Sequence, residues 1–270
     1  INKNEFNTAK KEGYILNYSE KQYDDYLNCA LDEAKEILNC NDLQLRNSNI
    51  KIVTYLDCEK QNYLYKALKN KDYYLKNKYG NTYDGAAMLC DNNSAGITAY
   101  YKTSPFFNID TKLQSGSVIK PIAVYGPALQ DNLITPITPI KDEKITFGDY
   151  SPSNYNEQYY GWVSAKTCLA KSLNIPAVSI YNSLNKENVL KYTSAMNIDI
   201  TEDINSLSVA LGGVKNGFSI KNLTSAYSAF ANDGNYNNIK FVKEIRDENN
   251  NIIYSHTKED KKVFSAETAF

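Results

Sequence analysis

The sequence predicts an α+β fold, and three observations carry that reading. Ile50-Lys51-Ile52-Val53-Thr54-Tyr55 alternates and is β-branched, the pattern of a half-buried strand. Ala86-Ala87-Met88-Leu89-Cys90 and Gly96-Ile97-Thr98-Ala99-Tyr100-Tyr101 flank the turn-rich Asp91-Asn92-Asn93-Ser94 and read as a β-hairpin with one strand well buried. Helical periodicity brackets these strands, first on the stripe Tyr23, Leu27, Ala30, Leu31, Ala34 and Leu38, then in a run that starts near Ser117.

The elements follow in order. Residues 1–18 show no strong period, and Ser19 with Gln22 forms a capping box for the first helix. Asn39 to Asn49 is polar and loop-like. After the strand, Asp57 caps a short helix through about Leu68. Lys69 to Asp84 is polar and Tyr-rich, so residues 1–84 form a helix–strand–helix linker region, and a second region, 85–270, opens at Asp84-Gly85. Val163 to Ala170 is helical, and Asn174-Ile175-Pro176 is expected to end that helix, since Pro176 disfavours the α region at Ile175. Ile220, Leu223, Tyr227 and Phe230 are the packed face of a later helix that Asp233-Gly234 ends.

Composition excludes several functions. The chain has 270 residues, a formal net charge of −1 and 42% hydrophobic residues, enough for a sizeable core in one or two domains. Its charges are balanced and dispersed, leaving no basic face for nucleic acid and no acidic tail. No apolar run approaches the roughly 20 residues that cross a bilayer, and no signal peptide is present. The expectation is a soluble segment cut from something anchored. The single histidine, His256, lies in a polar stretch, which rules out a Ser-His-Asp triad unless His256 serves it and disfavours zinc; a surface role is expected of it. Five scattered cysteines without a C-x-x-C pair form neither a disulfide framework nor a metal cluster, and Cys90 and Cys168 read as core thiols.

The chemistry lies in Ser117-Val118-Ile119-Lys120-Pro121 and, further on, Ser172-Leu173-Asn174. A serine and a lysine three positions apart share one helix face, so the lysine can take the serine's proton without a histidine. A second serine and an amide from another segment complete a proton relay and hold a substrate. Ser48-Lys51, Ser183-Lys186 and Ser255-Lys258 share the spacing but not the setting. Ser117 follows Gly116, precedes a proline tolerated in a first helical turn, and leads into apolar Ile122-Ala123-Val124-Tyr125. The helix dipole and desolvation both favour an easily deprotonated lysine there.

These residues resemble the transpeptidase domain of class A (bifunctional) penicillin-binding proteins, over roughly residues 20 to 270. Ile52-Val53-Thr54-Tyr55-Leu56-Asp57 with Gln61 looks like the family's "TLD…Q" segment. Gln114-Ser115-Gly116-Ser117-Val118-Ile119-Lys120-Pro121 is similar to its Q-P-G-S-x-x-K-P, with Ser115 in place of proline. Tyr150-Ser151-Pro152-Ser153-Asn154-Tyr155, followed by Tyr160-Gly161, resembles its P-x-N-Y…G approach to the second motif. Ser172-Leu173-Asn174-Ile175-Pro176-Ala177-Val178 fits nearly letter for letter. Leu211-Gly212-Gly213, Leu223-Thr224 with Ala226-Tyr227, and Phe230-Ala231-Asn232-Asp233-Gly234 continue the order.

The resemblance implies an antiparallel sheet flanked by helices with an all-helical subdomain, as in serine β-lactamases. It implies a D,D-transpeptidase in bacterial wall synthesis, extracytoplasmic and membrane-anchored at full length, acting on peptidoglycan stem peptides and acylated by β-lactams, with no cofactor or metal. Ser117 is then the nucleophile, Lys120 its base, Ser172 the proton carrier to the leaving amine, and Asn174 a substrate-binding residue. Two features depart from the family. The preceding glycosyltransferase domain is absent, and the third motif, Lys-Thr/Ser-Gly, is missing, with the helix that precedes it beginning at Ser265 to Phe270. Three of five core strands would then be missing, the hairpin at 86–101 would keep an unpaired edge, and a companion chain carrying the Lys-Thr/Ser-Gly strand is expected. A D,D-carboxypeptidase and a non-catalytic module that binds wall peptides or a partner are the alternatives. A β-lactamase would need a water-activating group, and no Glu-x-x-x-Asn follows Ser172.

Overall fold

The computed structural model describes residues 21–270, so the Ser19 capping box lies outside the described residues. The chain runs α1 (Asp24–Leu38), α2 (Asp42–Arg46), β1 (Lys51–Thr54), α3 (Cys58–Lys69), β2 (Ala86–Asp91), β3 (Gly96–Lys102), α4 (Gly126–Gln130), β4 (Pro139–Asp142) and β5 (Gly161–Ser164). It continues as α5 (Ala165–Ala170), α6 (Asn174–Ser183), α7 (Lys186–Ala195), α8 (Ile220–Ser228), β6 (Asn235–Tyr236), β7 (Val242–Arg246), β8 (Ile252–Ser255), β9 (Lys261–Lys262) and α9 (Ala266–Ala269). Among the described residues no helix is long and apolar enough to cross a membrane.

Two compact units share these elements. Among the described residues, the first holds residues 21–89 together with Ile97–Phe107 and Phe241–His256. Its sheet is antiparallel in the order β1-β7-β8, with Ile52 opposite Ile245 and Ile245 opposite Tyr254. One face packs on α1 through Ala34, Val242 and Ile245. The inward face of α1 is rotated from the expected stripe: Tyr26, Ala30, Glu33 and Ala34 are buried, whereas Leu27 and Leu31 are each 43% exposed. Polar anchors decide this rotation. The Glu33 carboxylate accepts the Phe241 and Val242 N–H groups at 3.0 Å each, and the Tyr26 hydroxyl donates to the Ile97 carbonyl.

Asp57 caps α3 as expected, accepting from the Glu59 and Lys60 N–H groups. The stretch from Asn39 to Asn49, expected as a loop, contains α2, because Asn41 and Gln44 form a reciprocal capping box. β2 and β3 pair as the expected hairpin, and β3 is buried along almost its whole length. The side of β3 facing away from β2 is covered without a strand. The fully buried Gln61 accepts from the Tyr100 N–H and donates to the Tyr100 carbonyl, both at 2.9 Å, while the Asp57 N–H reaches the Thr98 carbonyl. Among the described residues β2 has no second strand partner. His256 is half-buried, with Nδ1 3.0 Å from the Tyr55 hydroxyl and its ring edge-on to Tyr55.

The second unit comprises Cys90–Gly96, Asn108–Lys240 and Thr257–Phe270. It is mainly helical around a core that includes Ile122, Val124, Val178, Tyr181, Val209 and Ala226. Cys168 lies in this core with no exposure, while Cys90 is only partly covered. Three expectations need correction here. Val163 belongs to strand β5, paired with β4, and the helix after it starts at Ala165 where the Ser164 hydroxyl caps it. Asn174-Ile175-Pro176 opens α6 rather than ending a helix. Proline is tolerated in a first turn because the donor it lacks has no intrahelical partner there. On α8 the buried residues are Ser225, Ala226 and Ser228, whereas Tyr227, assigned to the packed face, is 36% exposed and reaches the Val118 carbonyl through its hydroxyl.

Replacing Gln61 by alanine strands a buried donor and a buried acceptor on Tyr100. Gln61→Ala is expected to lower the unfolding free energy by about 2–4 kcal/mol in urea titration. A loss below about 0.5 kcal/mol, the range of ordinary surface substitutions, would contradict this account of the β3 edge.

Candidate active site

The segment from Gly116 to Gln130 is continuous but not uniform. Gly116–Val118 is a 3-10 turn, Pro121–Tyr125 is a widened π-type turn closed by the Gly126 N–H on the Pro121 carbonyl, and α4 follows. The expected regular helix fails for a local reason. Pro121 has no N–H to return to the Ser117 carbonyl, so the ladder tightens before it and widens after it. Ser117 is exposed on the first turn, while Ile119, Ile122, Ala123 and Val124 are sealed below.

The first turn is held from outside. The Leu113 and Phe218 backbones exchange two hydrogen bonds, of 3.1 and 2.8 Å. Gly212 has φ +81°, and a Cβ on it would lie 2.4 Å from both the N and O atoms of Gly116. The Tyr227 hydroxyl donates to the Val118 carbonyl at 2.7 Å. Leu211-Gly212-Gly213 and Tyr227 were visible in the sequence only as family-like strings; of these, Gly212 and Tyr227 touch the turn that carries Ser117.

Lys120 is 1% exposed, and its Nζ donates to the Ser172 carbonyl at 2.7 Å, to the Ser172 hydroxyl at 3.2 Å and to Asn174 Oδ1 at 2.8 Å. All three partners are neutral oxygens. With burial uncompensated by an anion, the ammonium is lowered from its ordinary value of 10.5 to about 8. Desolvation alone accounts for this. A neutral amine fits the same cage: two N–H groups keep the carbonyl and the amide oxygen, and the lone pair accepts from the Ser172 hydroxyl. Either protonation state is therefore hydrogen-bonded, and the proton has a short path between Lys120 and Ser172.

Ser172 reaches this position through a backbone turn. It ends α5 in the left-handed region, φ +52°, where its N–H meets the Leu169 carbonyl and the Leu173 N–H meets the Cys168 carbonyl, both at 2.9 Å. This is the Schellman arrangement, usually built on glycine. A serine here carries a conformational penalty of roughly 1–2 kcal/mol, yet keeps a hydroxyl beside Lys120.

The structure thus joins Lys120, Ser172 and Asn174 in one hydrogen-bonded cluster. Ser117 stands one turn before Lys120, and its hydroxyl makes no hydrogen bond to a described residue, so the direct serine–lysine contact suggested by their spacing is not formed. Two further residues adjoin the cluster. Asn154 is 4% exposed, and Asp142 is fully buried; Asn154 Nδ2 lies 2.9 and 3.0 Å from the two Asp142 carboxylate oxygens. The sequence placed Asn154 in a family-like string but gave no sign of Asp142, which sits in the polar run Lys141-Asp142-Glu143-Lys144.

Gly80 shares φ +81° with Gly212 but has open space around it, so the two glycines separate strain from contact. Gly212→Ala is expected to lose about 2–4 kcal/mol of stability, left-handed strain plus overpacking. Gly80→Ala is expected to lose only the strain. Equal losses in parallel urea titrations would contradict the tight Gly116–Gly212 approach.

Comparison with known proteins follows the same lines. Residues 85–270 match the penicillin binding protein transpeptidase domain. Penicillin-binding protein 1F of Bacillus subtilis (strain 168) is 32% identical over 253 residues, covering 92% of this chain and 35% of that protein. Penicillin-binding protein 1A/1B of the same strain is 28% identical over 289 residues, covering 100% of this chain and 31% of that protein. At 35% and 31% of their lengths, the chain spans about a third of these relatives. The fold is similar to that of PonA1 from Mycobacterium tuberculosis, solved in complex with penicillin V, with a TM-score of 0.75 at 20% identity over 90% of this chain and 67% of that one. The chain belongs to the penicillin-binding protein transpeptidase family.

Proposed function

We propose that this chain carries the acyl-serine centre of a peptidoglycan D,D-transpeptidase, with residues 85–270 as part of the catalytic domain and residues 1–84 leading into it. The observation that carries the reading is the buried, anion-free Lys120 held between Ser172 and Asn174, one turn from the exposed Ser117. A lysine lowered to about 8 is part neutral near pH 7 and can accept a proton.

In the first half-reaction the Ser117 hydroxyl turns toward Lys120, gives up its proton and attacks the carbonyl between the two terminal D-alanines of a stem peptide. The C–O bond to Ser117 forms as the C–N bond breaks. The proton passes from Lys120 through Ser172 to the departing D-alanine amine. Asn174 holds the donor peptide's amide. An amine from a second stem then attacks the ester, giving the cross-link and restoring Ser117. A β-lactam takes the donor's place because its strained amide presents the same carbonyl to Ser117. PonA1, the similar fold, was solved with penicillin V.

The remaining donors for the developing oxyanion and the cation for the substrate's terminal carboxylate would come from a companion segment bearing a Lys-Thr/Ser-Gly strand. The open side of β2 is where it would pair. The working protein would be held at the outer face of the cytoplasmic membrane by a part of the full-length chain. Water in place of the acceptor amine would make the same centre a D,D-carboxypeptidase, and product analysis with a stem-peptide amine present separates the two.

Full-length protein incubated with penicillin is expected to gain the mass of one penicilloyl group, mapped to Ser117, and Ser117→Ala is expected to gain none. Lys120→Ala is expected to acylate about 10²–10⁴-fold more slowly, the usual contribution of a general base. An adduct elsewhere, or none on a folded full-length protein, would contradict the assignment and favour a binding module.

A further inference from the structure

We infer that Asn154 and Asp142 are positioning residues for Asn174, fixing its amide so that the oxygen faces Lys120. The inference rests on the acyl-serine reading above. Asn174 opens α6, where the first N–H groups have no partner within the helix. The residue before it, Leu173, has no side-chain acceptor to cap them. Asn154 supplies one from twenty positions upstream: its Oδ1 accepts the Asn174 N–H at 2.8 Å and approaches the Ile175 N–H at 3.5 Å.

The rest of the Asn154 amide is then committed. Its Nδ2 donates to the Asp142 carboxylate, at 2.9 and 3.0 Å from the two oxygens, and to the Gln158 carbonyl at 2.8 Å. An amide has two such hydrogens, so both are used and the group cannot flip. Asp142 also accepts the Tyr160 N–H at 3.0 Å, which ties the carboxylate to the start of β5. A neighbouring contact completes the grip, because Asn174 Nδ2 donates to the Ser153 carbonyl at 2.8 Å. One loop therefore takes Asn174 by its backbone through Asn154 and by its side chain through Ser153. Only Oδ1 is left for Lys120, and it lies 2.8 Å away.

The consequence is electrostatic as well as steric. An acceptor aimed at Lys120 favours the ammonium, opposing the desolvation that disfavours it. The other partner residue of Lys120 is Ser172, through its carbonyl and hydroxyl, and no charged side chain is bonded to Lys120 among the described residues. Loosening Asn174 removes one of three acceptors. The lysine should then lose its proton at lower pH, while acylation slows because the substrate's amide is held less well.

The test compares full-length wild type with Asn154→Ala and with the isosteric Asp142→Asn. Asn154→Ala is expected to slow penicillin acylation by about 10–100-fold, as small misplacements of reacting groups do, and to move the pH midpoint of the rate downward. Asp142→Asn is expected to give a smaller shift in the same direction, and it serves if Asn154→Ala does not fold. A slower rate or reduced folded fraction with an unmoved midpoint in these variants means a merely structural role and overturns the inference. The Lys120 titration followed by NMR gives the same comparison without turnover. A downward shift supports the positioning role, and no shift overturns it, even in a protein whose Ser117 takes no penicillin.

Discussion

A lysine sealed from water with no anion bonded to it among the described residues is the constraint around which the site is built. Lys120 is 1% exposed, and its three hydrogen-bond acceptors are neutral. Lowering its titration from 10.5 to about 8 corresponds to a charging penalty on the order of 3 kcal/mol relative to water. A carboxylate in the cage would remove that penalty and also remove the base. The surroundings therefore have to satisfy the amine's hydrogen bonds without neutralising its charge, and a carbonyl, a hydroxyl and an amide oxygen do this. One of the three, the hydroxyl, can come only from the Ser172 side chain, which is why a serine occupies a left-handed helix end that glycine would fill more easily.

The supporting structure follows from the need to hold two short segments steady around one nitrogen. On the Ser117 side, the Leu113–Phe218 bridge, the Gly116–Gly212 contact and the Tyr227 hydroxyl fix a 3-10 turn that has few hydrogen bonds of its own. On the Asn174 side, a buried carboxylate–amide pair does the equivalent work at a helix start that lacks a local cap. Ile119, Ile122 and Val178 belong to the apolar core of the same unit, and Lys120 is itself 1% exposed. The proposed catalytic residues thus lie at helix ends and turns, where orphan backbone groups are available, and are anchored by residues from loops distant in sequence.

What could be read from the sequence tracks how local the determining interaction is. Asp57 as a cap, the β1 strand and the hairpin were legible because each depends on a few adjacent residues. The grouping of Lys120, Ser172 and Asn174 was legible through ordered motifs and not from any single spacing. The rotation of α1 was not, since it depends on Glu33 meeting two N–H groups more than 200 positions away. Asn174-Ile175-Pro176 was expected to end a helix because the cap that lets it start one, Asn154, lies in another loop. Asp142 was hidden most completely: flanked by charged residues and looking like a solvated run, it is fully buried. Long-range polar contacts leave no periodic trace in a sequence, and here they orient the site.

The most direct measurement of the central claim is the titration of Lys120 itself, by NMR of the full-length protein with labelled lysine and with Lys120→Ala to assign the resonance. The account requires a midpoint near 8, well below the ordinary 10.5, in the free protein. A midpoint at or above 10.5 would mean that the amine is hydrated or paired with an anion, and Lys120 could not then serve as the neutral base on which the proposed chemistry depends.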